Sequence, residues 1–242
     1  MATHANNFDF IRLAAAFSVL VSHQFAFAGK PEPSPVPFHS LGGLAVLAFF
    51  TISGFLVTQS WDRDRHALRF AARRILRIWP GWIVVTIFTG LILGPLITTL
   101  SLPAYFGSTR TWEYLGQLVL MTKYTLPGVF TTNSVPEVVN GSLWTLPIEV
   151  QMYAFLLVAG VTSLLKWRWP ALASLVIFAF YLFVLKDVEH HHKFTKEFGL
   201  FFLAGSCCYL FRDCWQGRIF HFLAPLLVAA IILWLCGYKY AA

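Results

Sequence analysis

Phe8 to Phe27 reads FDFIRLAAAFSVLVSHQFAF, a mostly apolar run of about 20 residues, long enough to cross a bilayer as a helix. The run nevertheless contains Arg12 and His23, eleven residues apart. That separation is within about 20° of three full turns, so both side chains project from one face, roughly 16 Å apart along the axis. Ionisable groups inside a span are costly and usually line a cavity or pathway, so this face is a candidate reaction or transport site.

A cleaved secretory signal peptide is the alternative interpretation of this stretch, with the small residues around Ala26 and Ala28 as its processing site. No Lys or Arg precedes Arg12, and Asp9 lies where such a peptide carries positive charge. The chain also stays hydrophobic to its end, as an integral membrane protein does. A first transmembrane helix is therefore favoured.

The composition excludes an ordinary soluble domain. The 242 residues are 57% hydrophobic and 12% charged, with mean hydropathy +0.66, whereas soluble domains have about 25% charged residues. The net charge of +7 raises the question of nucleic acid, but the positive residues cluster between apolar stretches, as the positive-inside rule predicts. We therefore expect an all-α, polytopic transmembrane bundle with membrane lipids and no nucleic acid as partners.

Seven apolar spans are predicted. They cover about residues 8–28, 40–60, 79–100, 143–165, 170–186, 196–212 and 219–237. With the N-terminus inside, the inner loops hold ten Lys and Arg residues and the longer outer segments hold seven. This contrast predicts a cytoplasmic N-terminus and an outer C-terminus. The long loop at 101–141 would then face outward, and loops of this kind often carry substrate contacts.

Arginines recur every fourth residue ahead of the third span, at Arg65, Arg69, Arg73 and Arg77. This spacing predicts a basic amphipathic helix over 61–78 at the inner surface. Two interpretations stay open: attraction to anionic lipid that sets the topology, and a site for a phosphorylated ligand, since guanidinium forks match phosphate geometry.

Glycines within the predicted spans have packing as their simpler explanation. Ser53 and Gly54 in the second span permit close helix approach or a local kink. Gly90 and Gly94 form a G-x-x-x-G in the third span, which is weak evidence for helix packing.

The fourth span begins near Asn140 or Ser142, either of which can cap it, and Pro147 falls in its first turns. A polar stripe follows at helical spacing, formed by Ser142, Thr145, Glu149 and Tyr153. Glu149 is a carboxylate well inside a span and needs a partner: Arg12, His23 or a proton of its own. Both Glu149 and His23 lie near the outer ends of their spans, so a His23–Glu149 pair is geometrically plausible.

The remaining metal-type residues favour no metal site. His190, His191 and His192 form a run in a predicted loop with no second cluster at ligand spacing. The four cysteines form no C-x-x-C and are interpreted as free packed thiols; they are Cys207, Cys208, Cys214 and Cys236.

Four of these motifs together resemble the membrane-bound acyltransferase family 3, whose members O-acylate bacterial surface and secreted carbohydrates. They occur in the family's order across residues 8–155: Arg12-x10-His23, Phe50-Thr51-Ile52-Ser53-Gly54-Phe55, Arg73-Arg74-x-x-Arg77-Ile78-x-Pro80 and Ser142-Leu143-Trp144-Thr145-Leu146-x-x-Glu149. The family has about ten spans, so the seven predicted here imply either a shortened member or a fragment. Residues 1–242 are expected to form one integral-membrane domain of the bacterial inner membrane.

The resemblance implies transfer of an acyl group, most often acetyl, from acyl-CoA to a sugar hydroxyl on a carbohydrate or lipid-linked glycan. Acyl-CoA would be a substrate, and no bound cofactor is expected. His23 would be general base or acyl carrier, Glu149 would orient it, and Arg12 would hold the donor or the developing oxyanion. The expected donor-binding residues are Arg73, Arg74, Arg77 and Ser53.

A proton-coupled transporter is the rival class, with Arg12, His23 and Glu149 as a relay. The motif set argues against it, although the physics of buried charge by itself does not. A purely structural membrane scaffold leaves three ionisable groups within spans unexplained.

Overall fold

The computed structural model describes residues 7–36, 39–121, 123–184 and 190–216, with no side chains described between 183 and 195. The predicted seventh span, Cys236 and the His190–His192 side chains lie outside this description. All regular elements within it are helical, apart from two isolated β-bridges, Val36 with His39 and Thr125 with Val138. The predicted all-α class is confirmed for the described residues.

The helices are α1 (Phe8–Phe27), α2 (Leu41–Arg63), α3 (Ala67–Ile87), a π-helix (Phe88–Leu93), α4 (Gly94–Ile97), α5 (Leu102–Gly107), α6 (Thr109–Leu115), α7 (Leu146–Val161), α8 (Arg168–Val184), α9 (His190–Leu210) and α10 (Arg212–Trp215). Three short 3₁₀ segments complete them, at Gly116–Val119, Gly141–Thr145 and Leu164–Lys166.

Four stretches of the described residues are long and apolar enough to cross a membrane: Phe8–Phe27, Leu41–Arg63, Ala67–Ile97 and Gly141–Val161. They correspond to the first four predicted spans. The predicted fifth and sixth spans fall on α8, which is shorter, and on α9, which begins with a polar turn. The chain is therefore an integral membrane protein with several apolar helices, four of them candidate spans.

The third span differs from its prediction. The sequence predicted a surface helix over 61–78 and a separate span from 79, but α3 runs through Pro80 without a break. A proline within a span is tolerated because neighbouring groups satisfy the freed carbonyl. The 31 residues of Ala67–Ile97 are about 46 Å long, more than the roughly 30 Å hydrocarbon core requires. The helix is therefore long enough for its basic first turns to extend beyond the hydrocarbon core.

The chain divides into two compact units, of which the first comprises residues 1–63 and 162–242. Here α2 and α9 approach to backbone contact: a Cβ on Gly54 would lie 1.9 Å from the Phe202 carbonyl oxygen, and one on Gly205 would lie 1.9 Å from that of Thr51. Packing, the favoured explanation of Gly54, is confirmed. α1 packs antiparallel on α2, because Phe8 contacts Phe55 at one end and Ser22 meets Gly42 at the other.

The second unit comprises residues 64–161, and the long 101–141 segment forms a packed core within it. Tyr105 and Tyr114 are fully buried there. The Tyr105 hydroxyl donates to the Gly90 carbonyl at 2.9 Å, and a Cβ on Gly94 would lie 2.0 Å from that hydroxyl. Gly90 and Gly94 thus make room for the aromatic core of the loop, which the helix-packing interpretation did not specify.

Asn140, one of the two residues predicted as a possible cap of the fourth span, makes no side-chain capping bond. It lies in the left-handed region with φ 56°. Its amide instead donates to Thr89 Oγ1 at 2.8 Å and to the Tyr114 hydroxyl at 3.1 Å. Pro147 does fall in the first turn of α7, as predicted.

Candidate functional site

Arg12 and His23 lie on α1 in the first unit. The Arg12 side chain is one-quarter exposed, and its Nη1 lies 3.9 Å from Asp9 Oδ1, one turn earlier. The His23 ring lies 6.2 Å from the Phe27 ring, and no hydrogen bond reaches His23 from the part of the chain that the structure describes. Both ring nitrogens of His23 are therefore available to a ligand.

The α1–α2 contacts also fix the height of Ser53. Because Phe8 meets Phe55 and Ser22 meets Gly42, Arg12 is level with the Thr51–Ser53 turn of α2. Ser53 is half-buried there. The first unit thus brings Arg12 and Ser53 to one end of α1, with His23 at the other.

Four polar residues near the His23 end of α1 were not singled out from the sequence. Buried Ser22 donates a short hydrogen bond to Glu32, which lies in the proline-rich loop. His39 Nε2 lies 3.6 Å from Glu197 Oε1. No motif marks these residues, because the loop and α9 reach this level only in the folded unit.

Asp64 engages two arginines of the basic stripe at the start of the second unit. Its carboxylate accepts from Arg69 Nη2 at 2.6 Å and Nε at 3.0 Å, and from Arg73 Nη1 at 2.7 Å. These two hydrogen-bonded cations hold the pKa of Asp64 well below its ordinary value of 3.8. Asp64 is therefore ionised throughout the physiological range, and part of the positive charge of the stripe is already neutralised.

Arg74 has a different environment from Arg73. Its guanidinium carbon lies 5.7 Å from the centroid of the Phe70 ring and 5.5 Å from that of Tyr153, and it is a hydrogen-bond partner of Tyr153. Phe70 and Tyr153 are both buried. The Tyr153 hydroxyl in turn donates a short hydrogen bond to Glu149.

Glu149 therefore has a partner that the sequence did not name. The expected partners were Arg12, His23 or a proton, whereas the structure gives it Tyr153, one turn along α7. The contact of Arg74 with Tyr153 and that of Thr89 with Asn140 set α3 and α7 antiparallel. Glu149 is consequently level with the α3 turn that starts at Arg77, rather than remote from the arginine stripe.

Arg77 is exposed, and none of the described residues gives it an ion pair. The second unit thus joins Arg74, Tyr153 and Glu149 in a hydrogen-bonded chain beside Arg77. Farther along α3, Trp82 Nε1 and Thr86 Oγ1 are buried without a hydrogen-bond partner among the described residues. Cationic and carboxylate groups at one level of a span can bind a phosphorylated ligand and place a charged group beside it.

Comparison of the sequence with known proteins identifies a family of membrane enzymes. Acyltransferase family 3, described as an acyltransferase domain, matches residues 6–241. The chain therefore belongs to this family, and the resemblance drawn from the four motifs is confirmed. Membership identifies the chain with a class of membrane-bound acyltransferases.

Two curated relatives carry more particular names. An "O-acetyl transferase" of Shigella phage Sf6 is 36% identical over 149 residues, covering 62% of this chain and 44% of the relative. "Nodulation protein 10" of Rhizobium leguminosarum bv. viciae is 30% identical over 250 residues, covering 96% of this chain and 65% of the relative. The chain thus spans about half to two-thirds of the length of these relatives. No solved structure matches it.

Proposed function

We propose that the protein transfers an acyl group, most simply acetyl, from acyl-CoA to a hydroxyl of a surface or secreted carbohydrate or lipid-linked glycan. The observation that carries the proposal is the family match over residues 6–241. The name of the Sf6 relative supports acetyl as the group transferred. The protein would work in the bacterial inner membrane with its N-terminus in the cytoplasm.

Binding of the donor phosphates is assigned to arginines of the second unit. Arg74 contacts the rings of Phe70 and Tyr153, and Arg77 is exposed about one turn farther along α3. Guanidinium groups bind phosphate oxygens with paired hydrogen bonds, so both suit the phosphates of acyl-CoA. Arg73 would join them when it leaves Asp64. Ser53, on α2, is assigned to the donor by the family motif.

His23 is assigned to the chemistry because a sugar hydroxyl is a poor nucleophile and needs a base within hydrogen-bond reach. As general base, the imidazole takes the hydroxyl proton while the oxygen attacks the thioester carbonyl and the CoA thiolate leaves. As acyl carrier, one imidazole nitrogen attacks the thioester carbonyl and the CoA thiolate leaves. The sugar oxygen then attacks the acyl carbon, the imidazole leaves, and the released nitrogen takes the hydroxyl proton. In both routes Arg12 would stabilise the oxyanion and Glu149 would supply a fixed negative charge.

The test compares His23→Gln with His23→Ala. Gln keeps volume and hydrogen bonding but is no base, so both variants should insert normally and lose transfer. Acetylation is measured by mass analysis of surface polysaccharide from the source cells after incubation with acetyl-CoA and purified full-length protein. Substantial transfer by a well-expressed His23→Gln protein would overturn the role of His23.

Binding of radiolabelled acetyl-CoA separates this function from its rival. An acyltransferase should bind the donor and release free CoA, whereas a proton-coupled transporter should do neither. Phe17→Leu is a suitable control, since Phe17 is a lipid-accessible, two-thirds exposed residue on α1 and should leave both properties unchanged.

A further inference from the structure

Tyr153 is a buried residue of α7 whose side chain contacts two groups with different proposed tasks. The centroid of its ring lies 5.5 Å from the Arg74 guanidinium carbon, and that of the Phe70 ring lies 5.7 Å from the same carbon. Its hydroxyl donates to Glu149. Only 4% of Tyr153 is exposed, so packing fixes the ring and with it the direction of the hydroxyl.

The two contacts form a continuous chain. Arg74 donates towards the Tyr153 oxygen, and the same hydroxyl donates its proton to Glu149. A phenol is suited to this position because it accepts and donates through one atom. Hydrogen bonds in a low-dielectric interior polarise one another, so such a chain is stiffer than its separate bonds.

Glu149 needs such a partner for a physical reason. A carboxylate within a span is costly unless its oxygens are hydrogen-bonded. Tyr153 lies one helical turn away, so the bond fixes the Glu149 rotamer against its own helix. The Glu149 carboxylate is then held in one orientation at the level of Arg77.

We propose that Tyr153 is a positioning residue that holds Glu149 in place through its hydroxyl and Arg74 through its ring. The inference rests on the proposed function, in which Arg74 binds the acyl donor and Glu149 serves the transfer step. The hydroxyl and the ring of Tyr153 would then have separate tasks. Loss of the hydroxyl should affect turnover, and loss of the ring should affect donor binding.

Tyr153→Phe removes the hydroxyl and keeps the ring. Since a hydrogen bond to a charged group is lost, kcat for acetyl transfer should fall about ten- to hundred-fold. The KM for acetyl-CoA should stay within about threefold, because the ring contact with Arg74 remains and the Arg74 N–H that loses the phenol oxygen can donate to a donor phosphate instead. Turnover is expressed per acetyl-CoA binding site in the same preparation, so that loss of folded protein is not counted as loss of kcat.

Phe70→Leu is the matched control at the other ring that contacts Arg74. It removes this cation–π contact and leaves the Tyr153 hydroxyl, so KM should rise about three- to thirty-fold with kcat unchanged. Tyr153→Leu should show both defects. Incorporation of 3-fluorotyrosine at position 153, which retains ring and hydroxyl, should restore most of the turnover.

The outcomes separate the inference from the proposed function. If Glu149→Gln transfers acetyl normally, the proposed role of Glu149 fails. If Glu149→Gln is inactive but Tyr153→Phe keeps its kcat, the role of Tyr153 is wrong. The double variant Glu149→Gln/Tyr153→Phe should be no worse than Glu149→Gln alone, since both act on one step. A Tyr153→Phe protein that changes KM and not kcat also overturns the inference.

Discussion

At the scale of single residues, four arginines of equal charge occupy different environments. Arg69 and Arg73 pair with Asp64, Arg74 contacts two aromatic rings, and Arg77 is exposed. An exposed ion pair contributes little stability, because water screens both partners. These four arginines should therefore respond differently to substitution.

Arg77→Ala should weaken acetyl-CoA binding about ten- to hundred-fold, as expected for loss of a charge-assisted contact. Arg77→Lys should restore only part of the affinity because an ammonium lacks the planar fork. Arg69→Ala is the control, since Arg69 already pairs with Asp64 and is mostly exposed. Equilibrium binding of radiolabelled acetyl-CoA measures all three. Unchanged affinity in Arg77→Ala would leave topology and lipid attraction as the whole explanation of the stripe.

Asp64→Asn should tighten acetyl-CoA binding about two- to fivefold, because donor phosphates no longer compete with a carboxylate for Arg73. Asp213→Asn, which breaks the exposed pair with Arg168, should leave the affinity unchanged. Weaker binding by Asp64→Asn would mean that Asp64 supports the site instead of competing for it.

The depressed pKa of Asp64 gives this competition a defined pH dependence. A carboxyl group with a lowered pKa stabilises the fold above its ordinary pKa, and that stabilisation disappears only as pH falls through the folded value. The wild-type and Asp64→Asn affinities should therefore differ by a constant factor between pH 5 and 8. A ratio that changes across this range would contradict the assignment.

At the scale of helices, glycine decides which elements can touch. Gly54 and Gly205 permit backbone contact between α2 and α9, and Gly94 admits the Tyr105 hydroxyl beside the π-helix. π-Helical turns often occur at functional sites, and here the Gly90 carbonyl in that turn accepts from Tyr105. The same residue type thus serves two kinds of packing.

Gly54→Ala should destabilise the protein, because its Cβ would lie 1.9 Å from the rigid backbone oxygen of Phe202. Overpacking of this kind costs about 1–3 kcal/mol, so Tm in detergent should fall by about 2–12 °C. Gly81→Ala is the matched control on α3, where a Cβ meets nothing within 4 Å. Since Ala is the better helix former, its Tm should hold or rise. Equal Tm values for the two variants would contradict the packing assignment.

At the scale of the whole molecule, the arginine-rich start of α3 and the long 101–141 segment are proposed to face opposite sides of the membrane. The asymmetry of Lys and Arg motivates this arrangement. It would put donor binding on the cytoplasmic side. The position of Glu149 at the level of Arg77 then requires the donor to reach into the helix bundle from that side.

Cysteine labelling checks this topology. In a background without the four native cysteines, a membrane-impermeant thiol reagent applied from outside should label a cysteine at Ser108 and miss one at Arg65. Permeabilised cells, in which both sites should react, provide the control. The opposite pattern would reverse the proposed side of the donor.

The sequence by itself determined the membrane class, the four candidate spans of the described residues and the family. These conclusions depend on local properties of the sequence. The length of an apolar stretch decides whether it can cross the membrane, and the residues of each motif lie close together along the chain. The polar stripe of α7 was also visible, because Glu149 and Tyr153 are four residues apart and must share a helix face. The arginine-rich stretch was predicted as a surface helix separate from the span at 79, whereas α3 continues through both.

Only the tertiary structure decided which partners the polar groups take. Tyr153 and Arg74 are 79 positions apart in the chain, and their contact depends on the antiparallel packing of α3 and α7. The pairing of Asn140 with Thr89 in place of a helix cap has the same origin. A buried polar group binds whichever donor or acceptor the packing brings to it, and spacing along one helix contains no information about the neighbouring helix.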